Sequence, residues 1–149
     1  MIKGVKIFDR SIISDDRGRI IHMLKSNEGI LDEFGEIYCS TIYPRVVKGW
    51  HLHTRVTINY TVLKGNIKFV LYDDRDRSST KNQIQEIILG DSNHIMVSVP
   101  PKIWNGFMCI GSEEAFVINI QNKPYNESEV TRVDPHNNNI DYIWEVKDR

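Results

Sequence analysis

The chain has 149 residues, near the commonest size of one domain and long enough to bury a core without disulfides or a structural metal; a single domain over residues 1–149 is expected. Nineteen Lys and Arg against twenty Asp and Glu leave a net charge of -1, which gives no broad field for nucleic acid or an anionic membrane, so any anion has to be met locally. No apolar run approaches the roughly 18 residues of a membrane span, and Met1 to Arg10 carries no leader pattern; a soluble, cytoplasmic protein is expected, with Cys39 and Cys109 as reduced thiols buried like small hydrophobes.

Apolar residues alternate with period two along most of the chain, the mark of half-buried strands and an all-β fold. In chain order, strands are expected over residues 2–8 and 19–24, separated by the turn Asp15-Asp16-Arg17-Gly18. Ile30, Leu31 and Phe34 have helical spacing, which suggests a short helix over residues 26–34. A strand over residues 36–42 precedes the segment Lys48-Gly49-Trp50-His51-Leu52-His53. Residues 57–63 and 67–72 flank Lys64-Gly65-Asn66 as a hairpin, with Ile58, Tyr60 and Val62 on one face. Strands over 84–89, 94–99 and 115–120 are set off by residues 73–83, by Gly90-Asp91-Ser92-Asn93, by Pro100-Pro101 and by Gly111-Ser112-Glu113-Glu114. Residues 134–139 read as a turn and loop, after which residues 140–144 pack. Many short strands at this spacing give a sandwich or barrel, with no linker and no repeat.

The segment richest in chemistry is Gly49-Trp50-His51-Leu52-His53. Alternate residues of a strand point the same way, so His51 and His53 can enter one cavity; two ordinary surface or core histidines give the same pattern. Together with the hairpin ending at Gly65 and with Pro100 to Asn105, the segment resembles the two motifs of the cupin superfamily, which implies a cupin-type double-stranded β-helix, or jelly-roll barrel. Metal-binding cupins add an acidic ligand and a further His. Those positions fall on Ile58 and Asn105, and two imidazoles with one amide are a poor donor set, so no metal and no cofactor are expected. The imidazoles are then free for acid–base work.

Four segments carry a closer resemblance, to the dTDP-4-dehydrorhamnose 3,5-epimerase family. They are Asp16-Arg17-Gly18, Lys48-Gly49-Trp50-His51, the stretch from Pro100 to Asn105-Gly106-Phe107, and the tail with Tyr125, Glu129, Asp134-Pro135 and Ile140 to Trp144. The resemblance implies an isomerase of deoxysugar and polysaccharide biosynthesis acting on a nucleotide-linked keto-sugar, with His51 as the base. It implies that Asp134 orients His51, although an aspartate before proline is as readily a turn residue. Arg17 and Lys48 would hold the diphosphate. The family's lysine falls on Ile58 and its tyrosine on Asn119, so the missing acid would come from Tyr38 or Tyr60, while Glu36 and Ser40 would meet sugar hydroxyls. Gly-x-His-x-His also resembles the sugar 3,4-ketoisomerases, in which His53 would take part. Both families imply a homodimer, with residues 2–8 as the crossing strand; a binding cupin without turnover is the remaining alternative.

Overall fold

The computed structural model describes residues 1–147. Its strands are β1 (Lys6–Asp9), β2 (Ile12–Asp15), β3 (Gly18–Ile21), β4 (Glu36–Ile42), β5 (Val47–His53), β6 (Ile58–Lys64), β7 (Asn66–Tyr72), β8 (Ile84–Gly90), β9 (Ile95–Val99), β10 (Trp104–Cys109), β11 (Ala115–Gln121) and β12 (Val130–Arg132). They form two antiparallel five-stranded sheets, β1-β9-β6-β11-β4 and β12-β5-β10-β7-β8, while β2 and β3 stand apart as a hairpin. The core lies between the sheets. Ile58, Tyr60 and Val62 of β6 meet Ile67, Phe69 and Leu71 of β7 there, which is the shared face that the alternation predicts.

Each sheet is also covered on its outer face. Trp50, Val70 and Met108 are buried beneath Trp144 of the C-terminal segment, and Met96, Ile118 and Ile120 lie beneath Phe8, Met23, Leu24, Ile30 and Leu31. A sheet buried on both faces reads as a continuous apolar run, which is why β6 and β7 show buried residues at successive positions.

Several expectations need correction. The helix over residues 26–34 shrinks to a 3-10 turn, Ser26–Glu28, closed by Gly29 in the left-handed region at φ 66°. Ile30 and Leu31 pack on the sheet, whereas Phe34 is exposed. The first strand begins only at Lys6 rather than Ile2 and pairs with β9 of the same chain, from Lys6↔Ser98 to Asp9↔Ile95. Cys109 is buried, but Cys39 points outward and is exposed.

One irregularity sets the site. On β10 the step from Asn105 to Phe107 opposes the step from His51 to Lys48 on β5, so β5 carries one residue more than its partner. Strict alternation would send Lys48 to the face opposite His51; the bulge returns it to the same face. Gly49 and Gly106 permit this by backbone contact. A Cβ on Gly106 would lie 2.9 Å from the Gly49 Cα, and one on Gly49 would lie 3.1 Å from the Gly106 Cα, with Trp144 packed against both. Gly106→Ala is therefore expected to cost about 1–3 kcal/mol of stability by forcing β5 from β10, measured by urea unfolding.

Candidate active site

Between the sheets lies a hollow of about 130 Å³. β5 sends His51 and His53 into it, with β12 alongside in the register Arg132↔His51 and Val130↔His53. The opposite wall belongs to β4, β11 and β6. Asn119 is flanked in register by Tyr38 and Tyr60, and Gln121 by Glu36 and Ile58. Tyr38, Ser40, Lys48, Tyr60 and Asn119 all reach the lining, so seven of the eleven sequence-predicted site residues, counting both histidines, converge there.

The two imidazoles differ in their surroundings. His53 Nδ1 lies 2.5 Å from Glu129 Oε1, and Glu129 Oε2 accepts from the backbone N–H of Thr54 and of Arg55, each at 3.1 Å. Burial alone would raise the Glu129 pKa, but these hydrogen bonds, that from His53 first, hold it below the usual carboxylate value. The Glu129 carboxylate is the partner of His53 Nδ1, while Nε2 has no hydrogen-bond partner among the described residues. His51 has no side-chain hydrogen bond among the described residues. Burial, followed by the charges of Arg132, His53 and Lys48, brings its pKa down from 6.5 to about 4, so it is neutral at pH 7 and able to accept a proton.

The remaining polar groups are partly committed. Tyr60 Oη donates to Asn105 Oδ1 at 2.9 Å, and Asn105 Nδ2 donates to the carbonyls of His51 and Ile103. Asn105 is thus a buried strut behind the wall rather than a ligand-facing group. Lys48 Nζ donates to Ser40 Oγ and to the Thr41 carbonyl. Tyr38 Oη accepts from Gln121 Nε2 at 3.1 Å, and burial raises the Tyr38 pKa.

Three expected residues stand elsewhere. Asp134 is exposed and accepts from the backbone N–H of His136 and of Asn137, both at 2.8 Å, rather than from His51; the local turn before Pro135 satisfies it first. Arg17 sits at the tip of the β2–β3 hairpin, its side chain 90% exposed and paired with Asp15, away from its own chain's hollow. Glu36 lies off the lining at the start of β4, and its Oε1 is buried without a partner. Gln121 and Arg132 went unread. Gln121 follows Asn119 by two on one strand, so alternation pointed to it, whereas a three-residue strand gives no signal for Arg132. Glu129 was visible only as a motif acid, because its partner is 76 residues away.

A family model described as dTDP-4-dehydrorhamnose 3,5-epimerase matches residues 1–149. The chain belongs to that family. A probable low-salt glycan biosynthesis epimerase of Haloferax volcanii is 32% identical over 127 residues, covering 84% of this chain and 81% of its own length. A spore coat polysaccharide biosynthesis protein of Bacillus subtilis is 28% identical over the whole of both chains. The crystal structure of a dTDP sugar isomerase from Desulfovibrio desulfuricans superposes with a TM-score of 0.94 at 32% identity, over 99% of this chain and 94% of that one. This member of the dTDP-4-dehydrorhamnose 3,5-epimerase family is accordingly an isomerase of the sugar-nucleotide class with the cupin-type barrel.

The depressed His51 pKa makes stability pH-dependent. Between about pH 6.5 and pH 4 the unfolded chain takes up a proton at residue 51 that the folded chain does not, so unfolding free energy falls with acid across that window. Urea titrations at the two ends of the window are expected to show a smaller drop for His51→Asn than for the unsubstituted chain.

Proposed function

We propose that this enzyme epimerises a dTDP-linked 4-keto-6-deoxyhexose next to its ketone, at C3, C5 or both, with His51 as the general base. The observation that carries the reading is an imidazole with no side-chain hydrogen bond among the described residues, facing a polar wall across a partly open hollow. A ketone at C4 acidifies the hydrogens on both neighbouring carbons. His51 takes one and leaves an enolate, and a donor on the facing sheet returns a proton from the other side, which inverts the carbon. The hollow is smaller than the roughly 300–1,000 Å³ of pockets that enclose a whole ligand. It suits the hexose, with the nucleotide outside. A second hollow with Arg55 and Lys123 in its walls shares Tyr125 with the first and offers room for that part.

Charge supports the same roles. Lys48 and Arg132 face His51 and hold its pKa down. A bound diphosphate neutralises such cations and raises the basicity of His51 when substrate is present. Ile58, where the family has lysine, is buried in the core, which leaves Arg132 as the cation in register with the base.

One observation favours 3,4-ketoisomerisation as a second reading: His53 is held by Glu129 with Nε2 free, so two imidazoles share the hollow. NMR of dTDP-4-keto-6-deoxyglucose in deuterated water separates the two. Label with inversion at C3 or C5 supports epimerisation, and a C3 ketone supports the rival. His51→Asn should slow exchange by about 10²–10⁴-fold; exchange at the unsubstituted rate in that variant removes His51 from the reaction.

A homodimer is part of the proposal. The β2–β3 hairpin exposes Ile12, Ile13 and Ile20 around Arg17, an apolar surface with no cover among the described residues. Seated on a second copy, it would bring Arg17 to a diphosphate. Ile13→Asp combined with Ile20→Asp is expected to shift the species seen by sedimentation equilibrium from dimer to monomer; a monomeric unsubstituted chain would contradict the assembly.

A further inference from the structure

An inversion needs a proton donor facing the base, and Asn119 stands where the family carries its tyrosine. Two tyrosines flank Asn119 in register, one on each neighbouring strand. Side chains directly opposite one another on antiparallel strands sit about 4.5–5.5 Å apart at Cβ, so either reaches the same level of the hollow.

Tyr60 is unsuited. Its hydroxyl proton is already given to Asn105 Oδ1, and its ring is 3% exposed and packed on Phe69 at a centroid distance of 4.8 Å. Tyr38 is suited, and the reason is Gln121. The amide Nε2 donates to Tyr38 Oη, so the phenol oxygen acts as acceptor in that contact and its own proton remains available. The other end of the amide is equally informative. Gln121 is 1% exposed and lines the hollow, yet its Oε1 is buried without any donor among the described residues. An unpaired buried acceptor is destabilising, a penalty relieved by a donor entering the hollow.

We propose that Gln121 is the positioning residue of the epimerase reaction, holding Tyr38 as the proton donor opposite His51 while its Oε1 accepts a hydroxyl of the hexose. The inference rests on the epimerase reading above. In the step itself, the Tyr38 O–H bond breaks and a C–H bond forms on the face of the enolate away from His51. The phenolate left behind keeps the hydrogen bond from Gln121 Nε2. Solvent then returns a proton to Tyr38 and takes one from the His51 imidazolium, so the cycle closes with no net transfer. The raised Tyr38 pKa, caused by burial, keeps the phenol protonated at neutral pH before the step.

The test compares Gln121→Leu and Gln121→Met with the unsubstituted enzyme and with Tyr38→Phe, using dTDP-4-keto-6-deoxyglucose in deuterated water. Exchange by His51 can return a deuteron to the face it came from, so exchange should persist near the unsubstituted rate while inversion falls about tenfold. Tyr38→Phe should show the same uncoupling. Affinity for dTDP alone should be unchanged and affinity for dTDP-glucose about tenfold weaker. Equal losses of exchange and inversion, no loss of either, or loss of the folded state in both Gln121 variants would overturn the proposal while leaving the epimerase reading intact. An unsubstituted enzyme that neither exchanges nor inverts overturns both.

Discussion

The contact between Gly49 and Gly106 is the constraint on which the site turns. A sheet strand presents alternate residues to alternate faces, and β5 must present three, Lys48, His51 and His53, to one. That is possible only with an extra residue between Lys48 and His51, and the extra residue requires the two backbones to meet without side chains. The same local geometry turns Trp50 to the outer face, where Trp144 and Tyr142 stack around it and seal β5 from behind. The bulge thus gives one wall of the hollow its charge and the outer layer its aromatic plug.

The hollow itself is a study in unequal environments. One imidazole is tied to a buried carboxylate, while the other is set among cations with no polar partner of its own. The facing wall works the same way with tyrosines. Tyr60 is consumed by the core and by Asn105, and Tyr38 is held at the edge of the sheet by Gln121. Ile58 and Asn119 bring no acid to that wall, and in the proposed reaction Tyr38 on the neighbouring strand supplies it.

The strands were legible because period-two alternation is a local property. β4 falls on residues 36–42 as read, and the hairpin is displaced by a single residue at either strand. The shared face of His51 and His53 was legible for the same reason, whereas Tyr38 and Asn119 came from the resemblance. What could not be read is what depends on distant pairing. Glu129 lies near neither histidine in the sequence, β12 is too short to alternate, and Asp134 has a turn of its own within reach before any imidazole. The short helix failed through competition: Gly29 ends the turn, and Ile30 and Leu31 gain more by covering β9 and β11 than by continuing it.

The pairing of β12 with β5 has a consequence for how the enzyme comes into being. Val130 must meet His53 across a long stretch of intervening chain, and closing so large a loop is entropically late relative to the β6–β7 hairpin. A nascent chain can therefore own most of its sheet structure and still lack an anchored His53, because the carboxylate that fixes the ring arrives with the last segment. The His53 ring is therefore fixed only when the last strand docks against β5.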